Sequence, residues 1–175
     1  MTETTERICA CSVPTAALLL DRSERTLQRW CEDGTLQVVH RDARRGSRQL
    51  VNLAQVLEFF GPHSAPDFAA LIEAADAGHA EAETDLGLAL LQEGKAVAAV
   101  AFFQRAARQD HPEAMHWLYR CYREGLGIER DENLAMMWLH KAAAQGHVIA
   151  QAQTSALRDL AVQQLASGTA ARQAG

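Results

Sequence analysis

Arg25, Gln28 and Arg29 place three fork-shaped side chains within five residues of one another. Such side chains suit nucleic acid: Arg donates twice to guanine O6 and N7, and a Gln amide matches adenine N6 and N7. On a helix of 100° per residue the three fall together with Glu32, on the side turned away from Leu27 and Trp30. Ser23 supplies an N-cap hydroxyl just before them, and Thr26 shares the first turn, where free backbone N–H groups favour a phosphate. Further on, Arg41, Arg44, Arg45 and Arg48 make a second basic group. Between Arg22 and Arg48 seven Arg face four acids, 7 − 4 = +3. For the helix alone, an ordinary solvated Arg face is the competing reading.

Other reactive side chains form no recognisable reaction centre. Cys9 and Cys11 make only a C-x-C, short of a zinc spacing, and Cys31 and Cys121 sit among apolar neighbours as small core side chains. His79, His111 and His147 recur in equivalent positions, which spreads them too far apart for one ion and makes them turn residues. His116 and His140 lack an i,i+4 ligand-type partner. A nucleophile elbow, a P-loop and a G-x-G-x-x-G are all missing. The expectation is a protein without catalysis, cofactor or metal.

The elements that position the basic residues follow from pattern. Pro14–Leu20 reads as a short helix, Asp21-Arg22 breaks it, and Glu24–Glu32 is a second helix ending at Asp33-Gly34. Leu36–His40 and Arg48–Val51 alternate as strands around an Arg-rich turn, and Leu53–Phe60, with Val56, Leu57, Phe59 and Phe60, is a helix closing a small core. Ala16-Ala17-Leu18-Leu19, Ser23–Trp30, Asp33-Gly34, the Arg-rich hairpin and Leu53–Phe60 together resemble the MerR and excisionase-type winged helix-turn-helix. That resemblance implies a recognition helix over Ser23–Glu32 and a wing whose Arg residues touch flanking phosphates or a minor groove. Gln28 and Arg29 stand where MerR proteins have Arg and Tyr, closer to the excisionase branch, and no long dimerising helix follows the wing.

Charge divides the chain. Through Pro62, eight Arg balance eight acids; from His63 onward nine Lys and Arg face fourteen acids, 9 − 14 = −5, the whole net charge. Gly61–Pro66 is a breaker-rich joint that suggests separable cores. Beyond it, Ala74-Ala75-Asp76-Ala77-Gly78-His79 recurs at Ala106–His111 and Ala142–His147, steps of 32 and 36 residues. Such a period means stacked helix pairs. The fullest copy, from Ala114 through Leu118, Tyr119, Tyr122, Gly125, Gly127, Asp131, Ala135 and Trp138 to Ala143, resembles the Sel-one-like (SLR) tetratricopeptide-type repeat. Ala82 and Ala114 allow close approach, Leu86, Phe103, Leu118 and Trp138 fill the space between helices, and Gly125 and Gly127 permit the turn. Two whole repeats are expected, capped by half-repeats over Asp67–Ala77 and Ile149–Leu165. First helices line a concave face in such arrays, so Glu83, His116, Arg120 and Arg123 are the candidate partner-binding residues.

The fold expected is mainly α: a winged helix-turn-helix over residues 1–62, a short α-solenoid over 65–165, and a flexible tail over 166–175. At 175 residues, with 48% hydrophobic but only 6% aromatic side chains, a large catalytic barrel is excluded and closely packed helices are favoured. Short apolar runs give neither a signal peptide nor a membrane span, which places the protein in the cytoplasm. The function expected is a DNA-binding transcriptional regulator or adaptor, with double-stranded DNA at the first unit and a protein at the second. A protein-only scaffold and an excisionase-like DNA-bending factor are the alternatives. A homodimer is anticipated, because one recognition helix reads a single half-site.

Overall fold

The protein is described by a computed structural model over residues 8–39, 49–61 and 67–173. It begins with β1 (Ala10–Ser12), α1 (Val13–Leu20) and α2 (Glu24–Glu32), followed by β2 (Val38–Val39), β3 (Leu50–Asn52) and α3 (Leu53–Phe60). Local chemistry sets these bounds. Ser12 Oγ caps α1 by accepting from Thr15 N, Pro14 sits in the first turn, and Asp21 ends the helix in the left-handed region at φ 53°. Ser23 Oγ accepts from Thr26 N and opens α2, as expected.

The sheet differs from the expected hairpin. β1, an unforeseen third strand, pairs antiparallel with β3, and β2 flanks β3 on its other side, with Cys11 and Val38 both opposite Val51. Three residues running into a Pro-bearing helix are too few to show alternation, and their pairing lies about forty residues away. Within Leu36–Val39 only Val38–Val39 pair, while Leu36 is buried. The Arg-rich turn, with Arg41, Arg44, Arg45 and Arg48, lies outside the described residues, as does most of the Gly61–Pro66 joint. Phe59 does not close the core: it is exposed, with its ring 5.2 Å from Trp30. Val56 and Leu53 fill that place.

Six helices follow among the described residues: α4 (Phe68–Asp76), α5 (Ala80–Gln92), α6 (Ala96–Ala107), α7 (Pro112–Glu124), α8 (Glu132–Ala144) and α9 (Val148–Gln173). α5/α6 and α7/α8 are the two whole pairs; α4 and α9 are the half-repeats. Leu86, Leu118 and Phe103 are fully buried, but Trp138 is only half-buried beneath Lys141, and Ala135, Leu139 and Ala142 seat α8 instead. Small residues decide the spacing. A Cβ on Gly127, at φ 68°, would lie 2.3 Å from the Ala96 carbonyl, so the α7–α8 turn rests directly on the start of α6. α9 continues to Gln173, through most of the expected tail.

The two parts are not separated by their packing. One cluster of buried side chains runs from Cys11, Leu27 and Val56 through Phe68 and Ile72 to Phe103 and Leu139. Asp76 at the end of α4 accepts from Ser12 N, Ser12 Oγ and Thr15 Oγ1. Arg105 of α6 donates to Thr15 Oγ1 at 3.3 Å and to Ala75 O at 3.0 Å, and Lys95 Nζ donates to Leu19 O at 3.2 Å.

Candidate functional site

The first candidate surface is the outer side of α2. Leu27 is fully buried and Trp30 half-buried on the inner side, which turns Arg25, Gln28 and Arg29 to solvent as the helical wheel requires. With Ser23, Thr26 and Glu32 these three line one shallow groove. Ser23 and Thr26 are engaged with each other, hydroxyl to hydroxyl at 2.8 Å. Their role here is to hold the first turn, while the Arg and Gln side chains line the rest of the groove.

The candidates on the repeats are placed differently from one another. Glu83, expected on an open face, is enclosed: only 1% of it is exposed, Arg105 Nε lies 2.7 Å from Oε1, and Gln109 Nε2 donates to Oε2 at 2.8 Å. Burial raises its carboxyl above the usual range, outweighing the pull of Arg105 and Gln109. Glu83 is therefore a structural ion-pair partner, linked through Arg105 to Thr15 of α1. Arg120 and Arg123 stay partly exposed, Arg120 over the Trp117 ring at 4.5 Å and Arg123 over that of Tyr119 at 4.9 Å, with Glu124 beside both. Glu83 and His116, by contrast, are buried.

His116 instead meets a residue that the repeat pattern had set apart. Its ring stacks on His147 with centroids 4.3 Å apart, and His147 Nε2 lies 2.9 Å from Glu113 Oε2. His147 also caps α9, its Nδ1 accepting from Ala150 N at 3.1 Å, just as His111 caps α7 by accepting from Ala114 N. The recurring histidines are thus turn residues, as expected, with a cap as the physical reason for two of them. His116 Nε2 and Gln153 Oε1 are buried without completing a hydrogen bond. Burial first, and the neighbouring His147 second, hold His116 below the ordinary imidazole range. Glu113-x-x-His116 was the available sequence signal, since i,i+3 residues share a helix face; testing only i,i+4 pairs missed it.

Among the described residues no helix is long and apolar enough to cross a membrane. The Sel1 repeat family matches residues 80–120 and 112–147, the two helix pairs α5/α6 and α7/α8. No curated protein matches the chain. A Sel1 repeat protein from Oxalobacter formigenes is similar in structure at 31% identity and a TM-score of 0.45, over 53% of this chain and 28% of that one. A protective antigen of uropathogenic Escherichia coli strains, displaying an SLR fold, is similar at 28% identity and a TM-score of 0.43, over 55% and 19%. The chain thus spans less than a third of either protein's length. Residues 80–147 are thus similar to Sel1 repeats.

Proposed function

We propose that the protein is a DNA-docking adaptor, in which α2 enters a major groove while the Sel1 repeats hold a protein partner. The observation that carries the DNA half is the outer face of α2, where Arg25, Gln28 and Arg29 are exposed in one groove opposite the buried Leu27. A short helix packed across α1, with its polar forks outward and its N-terminus open, is the arrangement by which a helix-turn-helix reads base edges. Thr26 and Ser23 fix its first turn, and the basic segment with Arg41, Arg44, Arg45 and Arg48 adds phosphate contacts. The partner half rests on the repeats, whose usual role is protein–protein interaction, with Arg120 and Arg123 as its exposed cations.

Glu32, lining the same groove, favours a second reading, a scaffold that binds only proteins. Titrating the full chain with duplex DNA at two salt concentrations separates the two. DNA docking gives affinity that falls as salt rises and is lost in the Arg25/Gln28/Arg29 triple Ala variant. No DNA binding by the parent would leave the scaffold, and equal binding by parent and triple variant would put the DNA contact elsewhere than α2. A lone half-site rarely gives specific affinity near about 10⁻⁸ M, so the DNA-bound form is a dimer. Exposed Leu157, Leu160 and Val162 on α9 are its candidate contact, and light scattering of the chain with and without DNA measures it.

A further inference from the structure

We propose that Glu113, His116 and His147 form a binding site for a divalent cation of the zinc type, which pins α9 to α7. One ligand atom from each of the three residues lies within 4.8 Å of the others. Around a tetrahedral ion with bonds of about 2.0–2.1 Å, ligand atoms stand about 3.3 Å apart. Glu113 Oε2 and His147 Nε2, 2.9 Å apart, are already at that scale, and the His116 ring must turn to join them. His116 is 8% exposed and its Nε2 completes no hydrogen bond even though the Gln153 side chain lies within reach of the ring, a shortfall for a buried nitrogen that a metal bond would end.

The surroundings fit the same role. Glu113 and His116, three apart on α7, share a face, the i,i+3 spacing by which Glu and His reach one ion from one helix. Trp117 Nε1 donates to Glu113 Oε1 at 2.9 Å, which orients the carboxylate and leaves Oε2 for the ion. A cleft lined by His111, Pro112, Glu113, His147, Val148 and Ile149 opens beside the cluster and gives access for the ion and for a water as fourth ligand. Two imidazoles and one carboxylate select zinc, nickel or copper over magnesium or calcium.

Loading needs one proton to move. Without metal, His147 Nδ1 accepts from Ala150 N, so the ring proton sits on Nε2 and points at Glu113. The cation takes the Nε2 lone pair, the ring proton passes to Nδ1, and the cap on Ala150 is given up for the metal bonds. The stack with His116 opens in the same step, because parallel rings cannot both aim a lone pair at one ion.

The test is calorimetric titration of the chelator-treated full chain with zinc chloride, followed by visible spectra with cobalt(II). Expected are one ion per chain, cobalt bands of tetrahedral intensity, and affinity lowered at least about tenfold by Glu113→Gln and by His116→Phe. His116→Phe keeps a stacking ring; if it fails to fold, the half-buried Glu113→Gln carries the test alone. Absence of saturable binding to the parent, or equal affinity in the variants, overturns the site and leaves the ion, if any, on other histidines.

Discussion

The outer face of α2, expected from its helical wheel, and Glu83 of α5, expected on the concave face of first helices, are both candidate binding positions, and the structure treats them oppositely. On α2 the wheel separates inside from outside: Leu27 is buried, while Arg25, Gln28 and Arg29 are exposed. On α5 it does not, since Glu83 is as buried as Leu86. The difference is the number of neighbours. A peripheral helix packs along one stripe, so whatever lies opposite is wet. A helix inside a repeat array has α4 on one side and α6 on another, and a polar residue can face either. There an acid is retained only when paired, as Arg105 and Gln109 pair Glu83.

The sharpest way to break this comparison is at the shared core. Phe103 is fully buried between α6 and its neighbours, with the Trp117 ring 5.9 Å away and Gly87 beneath it. Phe103→Ala is expected to cost about 3 to 5 kcal/mol. Because the buried cluster continues into the first unit, hydrogen exchange should accelerate in α1 and α2 as well as in the repeats. Protection retained in α1 and α2 would mean that the first unit folds on its own, as the composition of the joint suggests.

A smaller effect is expected at the link itself. Glu83→Ala strands the Arg105 guanidinium, which also holds Thr15 and Ala75, and should cost about 2 to 3 kcal/mol in denaturant unfolding. Glu83→Gln should cost less, since the raised carboxyl pKa shows that its charge is disfavoured by burial. The sign follows from linkage. A carboxyl whose folded pKa is raised contributes stability below its unfolded pKa and loses it as pH rises through the folded value. Relative to Glu83→Gln, the parent should therefore lose stability as pH rises above the ordinary carboxyl pKa of 4.5, and a difference unchanged on that rise would contradict the assignment.

Legibility followed the reach of each interaction. α2 was readable to the residue because its cap, its Leu27/Trp30 stripe and its Gly34 stop all lie within a dozen positions, and α3 was readable for similar reasons. The repeats were readable because Ala, Gly and aromatic positions recur. β1 was not, since its only signal is a partner strand far along the chain. The His116–His147 contact was hidden by the repeat itself: periodicity explained His147 as a turn residue and drew attention from His116, which recurs nowhere. Glu83 was misplaced because membership of a first helix does not say which of its side chains a neighbouring helix covers, and Arg105 belongs to that neighbour.

On α2 the comparison predicts function without stability. Ala at Arg25, Gln28 or Arg29 should change unfolding by no more than about 0.5 kcal/mol, as for exposed positions generally. Each should lower affinity for a preferred duplex by about 1 to 3 kcal/mol, measured by fluorescence anisotropy. Arg44→Ala, in the basic segment, should instead weaken all sequences alike and reduce the salt slope by about one. Stability losses as large as those at Glu83 would show that the α2 face packs against something.

The smallest effect expected is chemical. Cys11 on β1 and Cys121 on α7 lie one in each part, and both are fully buried. Burial, with Asp76 and Glu73 adding to it, pushes the Cys11 thiol up to about 12, and burial pushes Cys121 up to about 11. At pH 8 both are thiols, and alkylation requires the thiolate and access to it. Cys9 and Cys31 are only half-buried, although burial and the neighbouring Asp33 and Glu32 also raise Cys31. Iodoacetamide at pH 8, read by mass spectrometry, should modify Cys9 first, Cys31 more slowly, and Cys11 and Cys121 only as the protein opens. If the two parts open together, Cys11 and Cys121 are labelled at one rate, and Phe103→Ala accelerates both. Early labelling of Cys11 with Cys121 still protected would show that β1 leaves the sheet while the repeats stay folded.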